Sequence, residues 1–244
     1  MRKILLLGLL FTFSTLGFCS DKMTEKSKKW LLSQPGVSSI GCDSYEDSSY
    51  SFTGRDGFYI KESSFKNSRI FEGSKLTCDL WSDMEDRKKP TLYVIENATI
   101  DDVKVSVFQS GGSGSVGDDY NDKSSWQVGC KTDVMTDEYN CHIRQKDFYI
   151  LRDESGYHVF IGSEHFPETK SYIRIDEGKP IESGGKGTFS LEDSTIIVNA
   201  LSSKSKVVTR YTRWPYERHV DGVVNMDKYN ASKKVLDIIF ESHK

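Results

Sequence analysis

Residues 124–161 read SSWQVGCKTDVMTDEYNCHIRQKDFYILRDESGYHVFI, and the alternation inside this stretch sets the expected fold. Trp126, Val128 and Cys130 fall on one face of an extended segment, and after the polar loop 131–140 Cys141 and Ile143 open a return strand. A disulfide joining the strand ends would staple this hairpin, contributing roughly 2–3 kcal/mol by restricting the unfolded chain. Phe148–Arg152 and Tyr157–Ile161 extend the pattern around Asp153-Glu154-Ser155-Gly156, a hairpin-type turn whose glycine accepts positive φ.

Downstream, Tyr172–Ile175, Gly187–Leu191, Thr195–Leu201 and Val207–Trp214 read as further strands, with a second such turn at Asp176-Glu177-Gly178. Asn225 can cap a final helix over about residues 226–241, whose buried stripe is Val235, Leu236, Ile238 and Ile239. Short, closely spaced strands with these turns predict a mainly β chain. Its C-terminal domain, 124–244, should be an antiparallel β-sandwich-like unit carrying a C-terminal helix.

Upstream, residues 21–109 form a smaller β-rich (α+β) region. A short helix over 22–34 docks Trp30, Leu31 and Leu32 and is stopped by Pro35-Gly36. Strands are expected at Phe58-Tyr59-Ile60, Lys75–Trp81, Thr91–Ile95 and Val103–Val107. Residues 110–123, SGGSGSVGDDYNDK, read as a linker or long exposed loop because Gly and Ser remove backbone preference. Tested as an EF-hand from Asp119, this segment fails at Lys123, a cation where a ligand is required.

Residues 1–20, MRKILLLGLLFTFSTLGFCS, have a basic start, an apolar run too short to span a membrane, and small residues after it, the pattern of a secretory signal peptide. Cys19 raises a lipid anchor, against which Phe18 stands where lipoprotein signals carry a small residue. If Cys19 leaves with the signal, Cys42, Cys78, Cys130 and Cys141 remain. An even number in an exported chain implies two disulfides with three connectivities, of which sequence proximity favours Cys42–Cys78 and Cys130–Cys141. The expected location is therefore secreted or periplasmic, with no transmembrane segment. The 12% aromatic content argues against disorder, and a net charge of −3 from 33 basic and 36 acidic residues excludes a broadly basic nucleic-acid binder.

Over residues 124–244, Trp126-Gln127-Val128-Gly129-Cys130, a polar loop, Cys141, then Arg174-Ile175-Asp176 before a turn resembles the invasion-associated locus B family. The strand Val220–Val224 leading into a helix containing Ala231 is similar too. The resemblance implies a small exported bacterial β-sandwich protein with an envelope or host-cell-entry role, hence virulence, and it brings no catalytic residue. Thr132-Asp133-Val134-Met135-Thr136-Asp137 also resembles a loop of a periplasmic accessory family of type VI secretion, where a proline stands at the place of Val134.

Chemistry-bearing patterns are sparse. His158, Glu164 and His165 could be drawn together as zinc ligands, although their spacing fits no known zinc motif and ordinary strand and loop positions explain them better. Gly111-Gly112-Ser113-Gly114 lacks the strand-to-helix setting of a nucleophile elbow, and Ser183-Gly184-Gly185-Lys186-Gly187-Thr188 departs from a phosphate loop at Pro180 and Gly187. Adjacent carboxylates at Glu85/Asp86, Asp153/Glu154 and Asp176/Glu177 read as solvated turns. No catalytic residue, metal site or cofactor is assigned.

The candidate functional surface is Lys204 to His219, where Arg210, Tyr211, Arg213, Trp214, Tyr216 and Arg218 interleave cations with aromatics, the residue types that carry binding hot spots. A strand with Tyr211 and Trp214 facing the core is the plainer alternative. The expected function is non-catalytic binding of a protein partner in the envelope or host. The alternatives are an accessory or immunity protein that binds a secretion component or toxin, and a secreted metal-dependent hydrolase. Asn97-Ala98-Thr99 and Asn230-Ala231-Ser232 fit the N-glycosylation pattern, relevant only in a eukaryotic secretory pathway.

Overall fold

A computed structural model describes residues 25–34, 36–47, 59–60, 69–81, 91–118 and 122–243. The expected signal peptide and the lipid anchor at Cys19 lie outside these residues. The fold is mainly β, as the alternation predicts. Its larger sheet begins with β1 (Ser44–Asp47), parallel to β3 (Lys75–Trp81), while β2 (Tyr59–Ile60) pairs with β4 (Thr91–Ile100). From β3 onward it is an antiparallel meander through β4, β5 (Val103–Phe108), β6 (Gly114–Val116), β7 (Trp126–Thr132), β8 (Tyr139–Gln145), β9 (Phe148–Asp153) and β10 (Gly156–Ile161). A second sheet has the order β12 (Ile181–Gly185), β11 (Lys170–Ile175), β13 (Val207–Arg213), β14 (Arg218–Val224).

The segment read as a linker is corrected by β6, a buried strand paired to β5 on one side and β7 on the other. Its glycine is there for close packing rather than for flexibility. A Cβ on Gly114 would stand 2.0 Å from the Ser106 carbonyl oxygen and 2.7 Å from Val107 Cα. One hydrogen-bonded ladder therefore runs from the N-terminal half into the C-terminal half.

The expected strand Thr195–Leu201 is instead part of a helix, α3 (Leu191–Ala200). Its run of β-branched residues favours a strand, but Ser190 caps the first turn: its hydroxyl accepts from Asp193 N at 3.0 Å and donates to the Asp193 carboxylate at 2.6 Å. Ser194, Ile197 and Val198 are buried at helical spacing. The expected strand Gly187–Leu191 is likewise replaced. Gly187 and Phe189 hydrogen-bond along the free side of β10, and β12 lies earlier in the chain. In the 176–178 turn the positive φ belongs to Asp176, at 52°, not to the glycine.

The C-terminal helix α4 (Tyr229–Glu241) packs on β7, β8 and β9 through Val235, Leu236, Ile239 and Phe240, while Ile238 is partly buried. It starts three residues later than expected, and Asn225 does not cap it; its Oδ1 accepts from Asp227 N at 3.0 Å. Trp126 is fully buried beneath this helix, 5.6 Å from the Tyr229 ring and 6.1 Å from Phe148. Arg152 binds Asp237 and donates to Glu241 at 2.6 Å, fastening α4 to β9. Both disulfides have the pairing that proximity favours: Cys42–Cys78 joins the β1 approach to β3, and Cys130–Cys141 spans directly opposed residues of β7 and β8.

A smaller core unites Leu31 and Val37 with Leu76, Leu80, Leu92 and Val94. Leu31 comes from the N-terminal helix α1 (Glu25–Leu32) and Val37 from the short helix α2 (Val37–Ile40); of the expected docking residues, Leu32 is exposed. Glu96, at the inward-facing continuation of β4, is completely buried, and its carboxylate accepts from Ile70 N, Phe71 N, Ser74 Oγ and Gln109 Nε2.

Candidate binding surface on the four-stranded sheet

The run Lys204 to His219 becomes β13, a tight turn and the start of β14. Strand alternation divides its residues between two faces. Val207, Thr209 and Tyr211 turn inward, whereas Val208 and Arg210 turn outward. Tyr211, expected on the partner surface, is therefore a core residue: it is 3% exposed, and its ring lies where a Cβ on Gly162 would stand, 2.5 Å away. Burial, then the Asp147 carboxylate, pushes its phenol above the usual range.

The other five residues lie on the surface. Arg210 donates from Nε and Nη2 to the two oxygens of Asp221, its cross-strand neighbour, at 2.6 and 2.7 Å. That fork–fork pairing raises the guanidinium and holds Asp221 below the usual carboxylate range. Arg213 reaches across to Glu164 Oε2 from Nε and Nη2 at 3.0 and 2.8 Å, and this contact raises it too. Between the strands, the turn presents Trp214 at 53% exposure and Tyr216 at 85%. The Trp214 ring is steadied 5.6 Å from Phe166. Arg218 completes the group without a carboxylate partner among the described residues.

These side chains bound an open concavity of about 590 Å³, lined by Glu164, Arg213, Trp214, Tyr216, Arg218 and Asp221. A second concavity of about 540 Å³ continues along the sheet beside Tyr172, Arg174 and Arg210, and the two share His219 and Asp221. The surface thus combines two exposed aromatic rings with guanidinium groups fixed in orientation before any partner arrives, an arrangement that lowers the entropy lost on binding.

Sequence reasoning missed Tyr172 and Asp221, placed Glu164 in a metal set rather than beside Arg213, and included His219 only as the end of the run. The alternation of Asp221 and Val223 within the expected strand Val220–Val224 was the available signal, but the strand pairing that brings them opposite Arg210 and Val208 is a tertiary fact. The β7–β8 turn holds a second surprise: Val134 and Met135 are the most exposed large apolar side chains described. Asp133 Oδ1 fixes that turn, accepting from Met135 N at 2.8 Å and Thr136 N at 3.2 Å.

His158, Glu164 and His165 do not assemble. His158 Nε2 is 3.0 Å from Asp153 Oδ2 and 2.9 Å from Ser155 Oγ at the β9–β10 turn. Glu164 is committed to Arg213. His165 packs 5.4 Å from the Tyr211 ring, both of its ring nitrogens buried without a hydrogen-bond partner. Among the described residues no three His, Cys, Asp or Glu side chains are grouped to hold a metal ion. The two glycosylation-pattern asparagines are engaged as well: Asn97 donates to Thr77 Oγ1 at 3.0 Å, and Asn230 accepts from Ser203 N at 3.1 Å.

Fold and surface together define a disulfide-stapled, mainly β chain with a preorganised aromatic–arginine surface. Among protein families, curated proteins and solved structures, none matches this chain.

Proposed function

We propose that this is an exported, non-catalytic binding protein that engages a protein partner in the envelope or at a host surface through the β13–β14 hairpin. The carrying observation is Trp214 and Tyr216 standing exposed beside arginines already fixed by carboxylates. Solvated apolar rings next to oriented cations gain most when covered by another protein. Export is supported by the signal-like residues 1–20 and by two disulfides that suit an oxidising compartment. Among the described residues no helix is long and apolar enough to cross a membrane. The likeness of Trp126–Cys130, Cys141 and Arg174–Asp176 to the locus B family points to the same setting.

The test is site-specific photo-crosslinking with a benzophenone amino acid at position 216 in the native envelope fraction and on host-cell membranes. A discrete adduct is expected, lost when Trp214→Ala and Arg218→Ala are combined, while the melting temperature stays unchanged. No adduct at all, or one indifferent to both substitutions, refutes the assignment.

A second reading, an accessory or immunity protein, is favoured by the exposed Val134–Met135 tip in the segment resembling the secretion accessory family. A crosslink at 135 but not at 216 would select it.

A further inference from the structure

We infer that β14 is a self-complementary sheet edge through which two copies of this chain pair antiparallel, joining their four-stranded sheets into one of eight strands. This goes beyond the partner-binding reading and rests on a different observation, the direction of backbone groups along β14.

On the inner side of the sheet, Asp176 N donates to Lys206 O, Phe166 N to Thr212 O and Trp214 N to Glu164 O. Even-numbered β13 residues thus turn their polar groups away from β14, and odd-numbered ones turn toward it. In the continuous register Val207↔Val224 to Arg213↔Arg218, the even-numbered β14 residues answer them. His219, Asp221 and Val223 are left pointing their N–H and C=O groups outward, with no backbone partner among the described residues.

Among the described residues, the edges at β10, β12 and β1 are covered or interrupted. The free side of β10 is occupied by Gly187, Phe189 and the Ser194 hydroxyl. β12 is short and its pairing with β11 is bulged, while β1 has four residues and ends on Glu46 and Asp47. Bulges, short length and end charges are the usual protections against edge-to-edge pairing. β14 has seven residues, an unbroken register, no proline or lysine, and Val223 at 64% exposure.

Charge selects the occupant and the register. Pairing that opposes Asp221 to its own copy sets like charges face to face, which is unfavourable. Sliding by two residues places Val220 opposite Val220 on the two-fold axis and His219 opposite the partner copy's Asp221 on both sides. Each of those His–Asp pairs exchanges backbone hydrogen bonds, because both residues point outward. Asp221 then lies between Arg210 of its own chain and an imidazole of the other. The stretch 218–222 is covered, and both Trp214 tips stay free for a partner.

The test is sedimentation equilibrium of the full chain from micromolar to near-millimolar concentration, with two variants. The wild type should rise toward twice the monomer mass. His219→Glu, which opposes two carboxylates at each pair, should weaken association about tenfold or more, with an unchanged melting temperature. Val220→Cys, at the non-hydrogen-bonded axial pair, should form a disulfide-linked dimer under mild oxidation. A monomer throughout overturns the inference, including one that instead accepts an extended peptide along β14. So does a dimer that His219→Glu leaves intact or that Val220→Cys does not cross-link. Loss of the dimer without loss of the position-216 crosslink would leave the partner-binding reading standing.

Discussion

Glu96→Gln should destabilise the fold by about 2–3 kcal/mol, although it changes no volume and removes a buried charge. In the wild type one carboxylate oxygen accepts Phe71 N at 2.7 Å and Ser74 Oγ at 2.6 Å; the other accepts Ile70 N at 3.0 Å and Gln109 Nε2 at 2.8 Å. An amide turns one of these oxygens into a donor. Whichever way it is oriented, the Ser74 hydroxyl or the Gln109 amide can rotate to accommodate it, but one backbone N–H, of Ile70 or Phe71, is left facing another donor. One lost charge-assisted bond at about 1.5–3 kcal/mol, together with the weakening of the other bonds from charged to neutral and offset by relief of the buried charge, gives the stated figure. Glu96→Ala orphans all four donors and should cost more, about 4–5 kcal/mol. Urea unfolding followed by tryptophan fluorescence, with disulfides intact, measures both. If Gln proves neutral within about 0.5 kcal/mol, or costs more than Ala, the carboxylate is not what holds residues 69–74 against β4.

Three further outcomes test the architecture. Replacing the cysteines pairwise by serine should cost about 4 kcal/mol for Cys42–Cys78, which spans 36 residues, and about 3 kcal/mol for Cys130–Cys141, which spans 11; the reverse order in urea midpoints would refute the chain-entropy account. Gly114→Ala should cost about 3 kcal/mol or more because its Cβ meets backbone at 2.0 Å, whereas Gly185→Ala, with nothing within 4 Å, should be nearly silent in the same melts. Acid should weaken the fold: Asp43 is held below its usual value of 3.8 by the Leu76 N–H and Arg69, and Asp221 by Arg210. A depressed folded-state value means the contribution is complete above about pH 4 and is lost as pH falls through the lower folded value. A melting temperature flat from pH 5 to pH 2 would contradict it.

What the sequence made legible was what local periodicity controls. Trp126, Val128 and Cys130 alternate as read, and the return through Cys141 and Ile143 meets them in register with the disulfide on an opposed pair. Where two local signals compete, side-chain branching alone misleads. Thr195-Ile196-Ile197-Val198 looks like a strand by side-chain branching, yet Ser190 three residues before Asp193 is a helix start, and the cap with its acidic first turn decides the outcome. The Gly-Ser run 110–116 failed for a different reason. Composition cannot separate a glycine that confers freedom from one that permits contact, and only the β5 backbone against Gly114 makes the distinction.

The candidate surface was legible in composition but not in selection. Interleaved arginines and aromatics marked residues 210–218, but strand parity assigns Tyr211 to the core and pairing assigns Glu164 and Asp221 to the arginines. Those carboxylates come from positions 49 residues before Arg213 and 11 after Arg210, separations at which sequence pattern carries no information about contact. They also change what the surface does. An arginine free in solvent must be ordered by its partner at an entropic cost, whereas Arg210 and Arg213 are ordered within the fold. If the surface binds a partner as proposed, selectivity should therefore fall to the groups without a carboxylate partner among the described residues, Trp214, Tyr216 and Arg218. On that proposal, those three are the positions at which substitution should separate loss of binding from loss of fold.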